Sequence, residues 1–148
     1  MKERILVSAC LLGVNCKYNG SNNENQAVIN YIKDKEAIII CPEIMGGLCT
    51  PRDPSEVLGN KVITNNNKDV TENFSRGAQE TLKLAKLFDC HKAILKSKSP
   101  SCGSNKIYDG TFTGTIIDND GITASLLKKH NITIITEKDI ENGTNSML

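Results

Sequence analysis

Three cysteines, Cys10, Cys41 and Cys102, each follow a short apolar run, at 4–9, 37–40 and 93–95 respectively, the last through a tight turn. Thiolates are soft ligands that select zinc, copper(I) or iron–sulfur clusters. A structural zinc site is usually built from close CxxC-type pairs, and the sequence has none. Spacing as wide as 10, 41 and 102 suits a site assembled by the fold, and three thiolates leave a fourth position open, as a catalyst needs. Cys16 and Cys49 fall in loops near the same rim, each a candidate fourth ligand or resolving thiol, whereas Cys90 closes the longest helix and reads as structural. Three other readings stay open. Cys10 with Cys16 or Cys49 would suit a metal-free thiol or sulfur-transfer protein; a zinc-binding module without catalysis would also use thiolates; and free cysteine is often simply buried.

Polar residues beside these thiols extend the chemistry. Glu43 follows Cys41 by two residues, so its carboxylate can reach the same pocket and act as general base towards water; the bland alternative is a solvated loop carboxylate. Ser99 and Ser101 flank Pro100 ahead of Cys102, placed either to bind substrate and relay protons or to satisfy turn backbone groups. Arg52 and Lys96 can hold an anion or form ordinary ion pairs. Neither His91 nor His130 lies beside a cysteine strand end, so a histidine-activated nucleophile has no support.

The elements that must position these groups alternate. The run at 4–9 reads as a buried first strand, 22–34 as a helix with Ala27, Val28, Tyr31 and Ile32 on one face and Asn22 or Asn23 as its cap, and 37–40 as a second strand stopped by Pro42. Residues 43–60 read as a long irregular segment. Asp69-Val70-Thr71-Glu72 resembles a capping box opening the longest helix, whose buried stripe is Phe74, Ala78, Leu82, Ala85 and Phe88. A third strand at 93–95, a hairpin or flap within 107–120, a helix at 123–130 and a fourth strand at 132–136 follow, and 137–148 reads as a loose polar tail. This pattern predicts an α/β chain forming one domain over 1–148, a three-layer, Rossmann-like sandwich around a mainly parallel four-stranded sheet. Ligands of such sheets bind outside the carboxyl ends of the strands, where the three cysteines would meet.

With 148 residues the chain is long enough for a core without disulfide staples. Its 18 basic and 17 acidic residues nearly balance, and with three Phe, three Tyr and no Trp it lacks the basic stripe and stacking aromatics of a nucleic-acid surface. A small-molecule partner is the better expectation. Val7-Ser8-Ala9-Cys10 mimics a lipoprotein cleavage site, but the apolar stretch before it is shorter than the roughly 7–15 residues of a signal core, and no run reaches membrane-spanning length. A cytoplasmic protein is expected, where reduced thiols persist.

Ser8-Ala9-Cys10-Leu11-Leu12-Gly13, Cys41-Pro42-Glu43, Gly46-Gly47-Leu48, Thr50-Pro51-Arg52, Asp69-Val70-Thr71 and Ser99-Pro100-Ser101-Cys102-Gly103, in that order, resemble a short bacterial domain-of-unknown-function family that includes the thiouracil desulfidases. The resemblance runs from Val7 to about Glu137. It implies that Cys10, Cys41 and Cys102 bind a [4Fe-4S] cluster with one iron free of protein ligands, and that Glu43 and a serine of the turn, Ser99 in preference to Ser101, are catalytic. The implied reaction is non-redox desulfuration of a thiolated pyrimidine, as free base or nucleoside, to the oxo base and hydrosulfide. Cys16 and Cys49 stand where relatives commonly carry valine and proline, so the resemblance assigns them no ligand role.

Overall fold

The computed structural model describes residues 2–143. In chain order its elements are β1 (Arg4–Ser8), α1 (Gln26–Tyr31), β2 (Glu36–Ile40), α2 (Pro42–Met45), β3 (Ser55–Leu58), β4 (Lys61–Thr64), α3 (Thr71–Leu87), β5 (Lys92–Leu95), β6 (Lys106–Tyr108), β7 (Ile116–Asp118), α4 (Ile122–Lys129), β8 (Thr133–Thr136) and α5 (Glu137–Glu141). Four strands form one all-parallel sheet in the order β2-β1-β5-β8. Alternation along each strand sends side chains to opposite faces. Leu6, Ala93 and Leu95 pack with Ala85, Ala124 and Leu127 from α3 and α4. Ile5, Val7 and Ile94 pack on the other face with Val28 and Ile140 from α1 and α5. The outcome is the expected helix–sheet–helix layering. Among the described residues, no helix is long and apolar enough to cross a membrane.

The buried stripe of α3 is as the spacing predicts: Phe74, Ala78 and Ala85 are enclosed, and Leu82 and Phe88 pack against the same core. Its start is not. The helix is capped at Val70 without a side-chain bond, while Asp69 turns its carboxylate to the N–H and hydroxyl of Thr71, a local Asx turn that outcompetes the expected box with Glu72. Likewise α1 begins later than expected, because Asn25, not Asn22 or Asn23, accepts the Val28 N–H.

Two segments expected to be irregular are ordered. Within 43–60, Glu43 to Met45 belong to α2, and Ser55–Leu58 pairs antiparallel with β4 around Gly59-Asn60, a two-residue hairpin signal that the surrounding loop residues masked. The expected tail begins with α5, closed by a capping box in which Thr136 and Asp139 bond reciprocally. Residues 144–148 lie outside the described residues. The hairpin expected within 107–120 is β6–β7, and it joins the first hairpin and α3 around Val57, Val62, Phe74 and Ile107.

The four-residue α2 owes its place to α3. A Cβ built on Gly77 would sit 1.9 Å from the carbonyl oxygen of Pro42, so the two backbones touch where any side chain would intrude. Gly77→Ala therefore sets two effects against each other. Helix propensity favours alanine by about 1 kcal/mol, whereas a backbone clash of this kind costs about 1–3 kcal/mol. A net loss is expected, read as a lower urea midpoint with an unchanged slope; a higher midpoint would mean that α2 is not seated on α3 as described.

Candidate active site

Parallel pairing brings the ends of β1, β2 and β5 to one edge of the sheet. Ser8 lies opposite Ile40, and Val7 opposite both Ile39 and Ile94. Cys10 follows in a single 3-10 turn, Ala9–Leu12, and Cys41 follows β2 directly as the N-cap of α2, with Pro42 at the first helical position, where no N–H is needed. The chain runs from β1 to β2 on one side and returns through α3 to β5 on the other, so the ends of β1 and β5 form the switch point where α/β sheets bind ligands.

The turn carrying Cys102 is held by α4. The N–H groups of Ile122, Thr123 and Ala124, unpaired at any helix start, donate to the carbonyls of Pro100 and Ser101, and Gly121 donates to Gly103 at 2.7 Å. The approach is close enough that a Cβ on Gly121 would lie 2.5 Å from the Ser101 carbonyl. Within the turn, Ser99 Oγ accepts from the N–H groups of Ser101 (3.2 Å) and Cys102 (3.0 Å). Ser101 faces away from the cavity: it is buried, with its hydroxyl 2.7 Å from that of Thr123.

Cys10, Cys41 and Cys102, together with Glu43 and Ser99, line one open cavity of about 570 Å³, within the usual range for small-molecule sites. The thiols are near enough to act on one another's charge: Cys10 feels Cys41, and Cys102 feels both. Burial raises the pKa of Cys10, against a hydrogen bond from Asn23, and pushes Cys102 up to about 12, against the Ser8 hydroxyl 3.5 Å from its sulfur. Cys41 is lowered, chiefly because the Cys16 thiol donates to it, and Cys16 is raised by the same bond. Buried thiols of this kind become thiolates when a cation compensates their charge.

Arg52 organises the rim. Its Nε donates to Glu43 Oε1 at 3.0 Å, Nη1 to the Cys49 carbonyl and Thr50 hydroxyl, and Nη2 to the Cys16 carbonyl at 2.8 Å. The ion-paired side chains are 9% and 17% exposed, so solvent screens them less than a surface pair. Five basic side chains, Lys17, Arg52, Lys96, Lys98 and Lys138, line the cavity with Glu43 and Glu56; Arg52 pairs with Glu43, Lys96 with Glu137 and Lys138 with Glu141.

Of the residues singled out in the sequence, Cys16 joins the cavity wall, Cys49 is exposed outside it, and Cys90 is buried in the core. Arg52 and Lys96 both line the cavity and both are ion-paired. Sequence reasoning missed Ser8, which links strand ends by accepting from the Lys96 N–H while touching Cys102, and Asn23, which bonds Cys10. It also missed Glu137, whose carboxylate takes the Ser97 N–H at 2.8 Å and hydroxyl at 2.6 Å and lies 3.3 Å from Lys96. The Thr136–Asp139 box was the one available sign that this stretch is ordered.

The sequence profile of the 2-thiouracil desulfurase family matches residues 5–139. A Bacillus subtilis (strain 168) relative, the "uncharacterized protein YbbK", is 41% identical over 148 residues, covering 93% of this chain and 98% of its own. Among solved structures, the [4Fe-4S]-dependent thiouracil desulfidase TudS superposes with a TM-score of 0.90 at 38% identity, covering 99% of this chain and 98% of the other.

Glu137 supplies a pH test of the loop between β5 and the cysteine turn. Burial alone would raise its pKa, but the Ser97 bonds and Lys96 outweigh burial and hold it below the ordinary carboxylate value. A depressed folded pKa stabilises fully above the unfolded value and is lost as pH falls through the folded one. Glu137→Gln should therefore cost about 1.5–3 kcal/mol at pH 7, measured by denaturant unfolding, with the gap to the parent closing below about pH 4. A gap independent of pH would show that the charge is not what holds Ser97.

Proposed function

The chain belongs to the 2-thiouracil desulfurase family, and on that premise we propose that it is a desulfidase converting thiouracil and water to uracil and hydrosulfide on a [4Fe-4S] cluster held by Cys10, Cys41 and Cys102. The observation that carries this reading is the meeting of Cys10 and Cys41, just past two strand ends, with Cys102 from the turn beyond β5 and with Glu43 in one cavity. The donor set fits the group. Among the described residues, no three His, Cys, Asp or Glu side chains converge as they would around a single metal ion. In a [4Fe-4S] cluster each cysteine thiolate would bind a different iron, so the three sulfurs would stand around the group and not converge on one ion. The likeness to a [4Fe-4S]-dependent thiouracil desulfidase over nearly the whole chain supports the same cofactor.

When bound, the cluster supplies a Lewis-acidic iron with affinity for sulfur. The chain's own residues do the rest. Arg52 fixes the Glu43 carboxylate through Oε1, and Oε2, which takes no hydrogen bond from the described residues, is left to accept a proton from water. The water oxygen replaces the thiocarbonyl sulfur, which leaves as hydrosulfide. A serine hydroxyl offers two acceptor sites and one proton. The Ser101 and Cys102 N–H groups occupy the acceptor side of Ser99, so its proton is free to point into the cavity towards the departing sulfur. Ser101, committed to Thr123, takes no part.

Anaerobic reconstitution with iron and sulfide, followed by a uracil-release assay, tests the whole reading. Glu43→Ala should keep the broad visible absorbance of the cluster while turnover falls about 10²–10⁴-fold; unchanged turnover would remove Glu43 from the reaction. Ser99→Ala should lower turnover about tenfold or more, and Ser99→Thr, which keeps the hydroxyl, should restore most of it. An unchanged rate in Ser99→Ala would remove the hydroxyl from the reaction.

A further inference from the structure

We propose that Glu56 is a substrate-binding residue of the cavity, accepting a hydrogen bond from a neutral donor at the end of the thiolated pyrimidine away from its sulfur. The inference deepens the desulfidase reading and rests on it for the direction in which the ring lies. Glu43 and Glu56 are the two carboxylates that line the cavity, and only the first takes part in the reaction above. Glu56 belongs to β3. With Pro54, Ser55 and Tyr108 it forms a wall contributed by the two hairpins, apart from the sheet edge that delivers the cysteines. Its Oε1 accepts the Gly110 N–H at 3.0 Å and the Phe112 N–H at 3.1 Å, both from the turn between β6 and β7. These two residues have positive φ, 96° and 58°, the left-handed conformation that lets nearby N–H groups converge on one oxygen. The turn is seated on β3: a Cβ added at Gly110 would lie 2.8 Å from the Val57 carbonyl oxygen.

A carboxylate tied through one oxygen presents the other in a fixed direction. Among the described residues, Glu56 Oε2 accepts no hydrogen bond and no Lys or Arg pairs with it, in contrast to Glu43 beside Arg52. A half-buried acceptor in this state gains most from a ligand that brings a donor, and being held already it loses little rotamer freedom on binding. A 4-thiolated pyrimidine brings one. Its sulfur must lie among the cysteines, beside Glu43 and Ser99. N1 stands across the six-membered ring from the carbon that carries this sulfur, so the N1 side of the ring is turned away from the cysteines. There a free base has an N–H and a nucleoside has its ribose hydroxyls, both neutral donors that a carboxylate accepts. The N1 side is not altered when sulfur is exchanged for oxygen. A bond to it is therefore equally strong before and after the exchange, and contributes to binding without lowering the barrier.

Glu56→Gln separates the two jobs of the side chain. Its amide carbonyl keeps the Gly110 and Phe112 bonds, while its NH2 group puts a donor where the free acceptor was. In the reconstituted holoenzyme, KM for 4-thiouracil or 4-thiouridine should rise about tenfold or more with kcat near that of the parent. A rise for the base alone assigns the ring N–H, and a rise for the nucleoside alone assigns the hydroxyls. Affinity for the matching product, uracil or uridine, should fall by the same factor in calorimetry, which needs no turnover. A comparison without any variant uses 1-methyl-4-thiouracil, which keeps the sulfur and has no donor at N1. The parent should show a KM for it about tenfold or more above that of the better substrate, and Glu56→Gln should leave that KM unaltered. The proposal is overturned by an unchanged KM for both substrates in Glu56→Gln, by a loss confined to kcat, or by a parental KM for the methylated ring equal to that of the better substrate. A parent that releases no uracil counts against the desulfidase reading instead, whereas an active parent matched by Glu56→Gln counts against Glu56 alone.

Discussion

In an all-parallel sheet every strand points the same way, so whatever follows the strands in sequence is delivered to one edge. That constraint makes a site out of residues as distant as 10, 41 and 102. β1 sits centrally, paired with β2 on one side and β5 on the other, and their shared register leaves Cys10 and Cys41 within two residues of paired strand ends. The apolar strands are enclosed by helices on both faces, which makes the register costly to shift: a slip by one residue would turn Leu6 towards the layer that holds Ile5 and Val7.

Backbone contacts then convert proximity into position. Cys102 is not at a strand end, and its turn is placed by the donors of the first turn of α4, groups that every helix must satisfy somehow. Cys41 and Glu43 are held from behind by the contact between Gly77 and Pro42. In both places glycine allows backbone to meet backbone, so the site is braced by main chain and not by long side chains with rotamer freedom of their own.

Polar groups finish the cavity by cross-linking its loops. Arg52 ties the loops of Cys16 and Cys49 to Glu43 of α2 through one guanidinium, whose fixed fork of donors suits several acceptors at once. Glu137 does the same for the segment after β5, and Ser8 connects β1 to β5 while touching Cys102. Glu56 Oε1 receives the N–H groups of Gly110 and Phe112, joining the two hairpins beside the cavity. No buried side-chain polar atom among the described residues is left without a partner, so the polar wall leaves none of its buried groups unsatisfied.

The amino-acid sequence by itself determined the alternation of strands and helices, the buried stripe of α3 and the candidacy of the three cysteines and Glu43, because hydrophobic period and residue type are local properties. The ordered motifs also pointed to the family that the match over residues 5–139 shows. It did not reveal the hairpin within 43–60 or the helix at Glu137–Glu141, where polar composition concealed order that long-range contacts supply. Residue type and spacing did not separate Ser99 from Ser101, where only the resemblance preferred Ser99, or Cys16 from Cys49. Each pair shares a residue type and a neighbourhood in the chain, and only tertiary packing turns one member to the cavity and the other to Thr123 or to solvent. Direction of a side chain in a loop is set by what folds against it, and that partner lies elsewhere in the sequence.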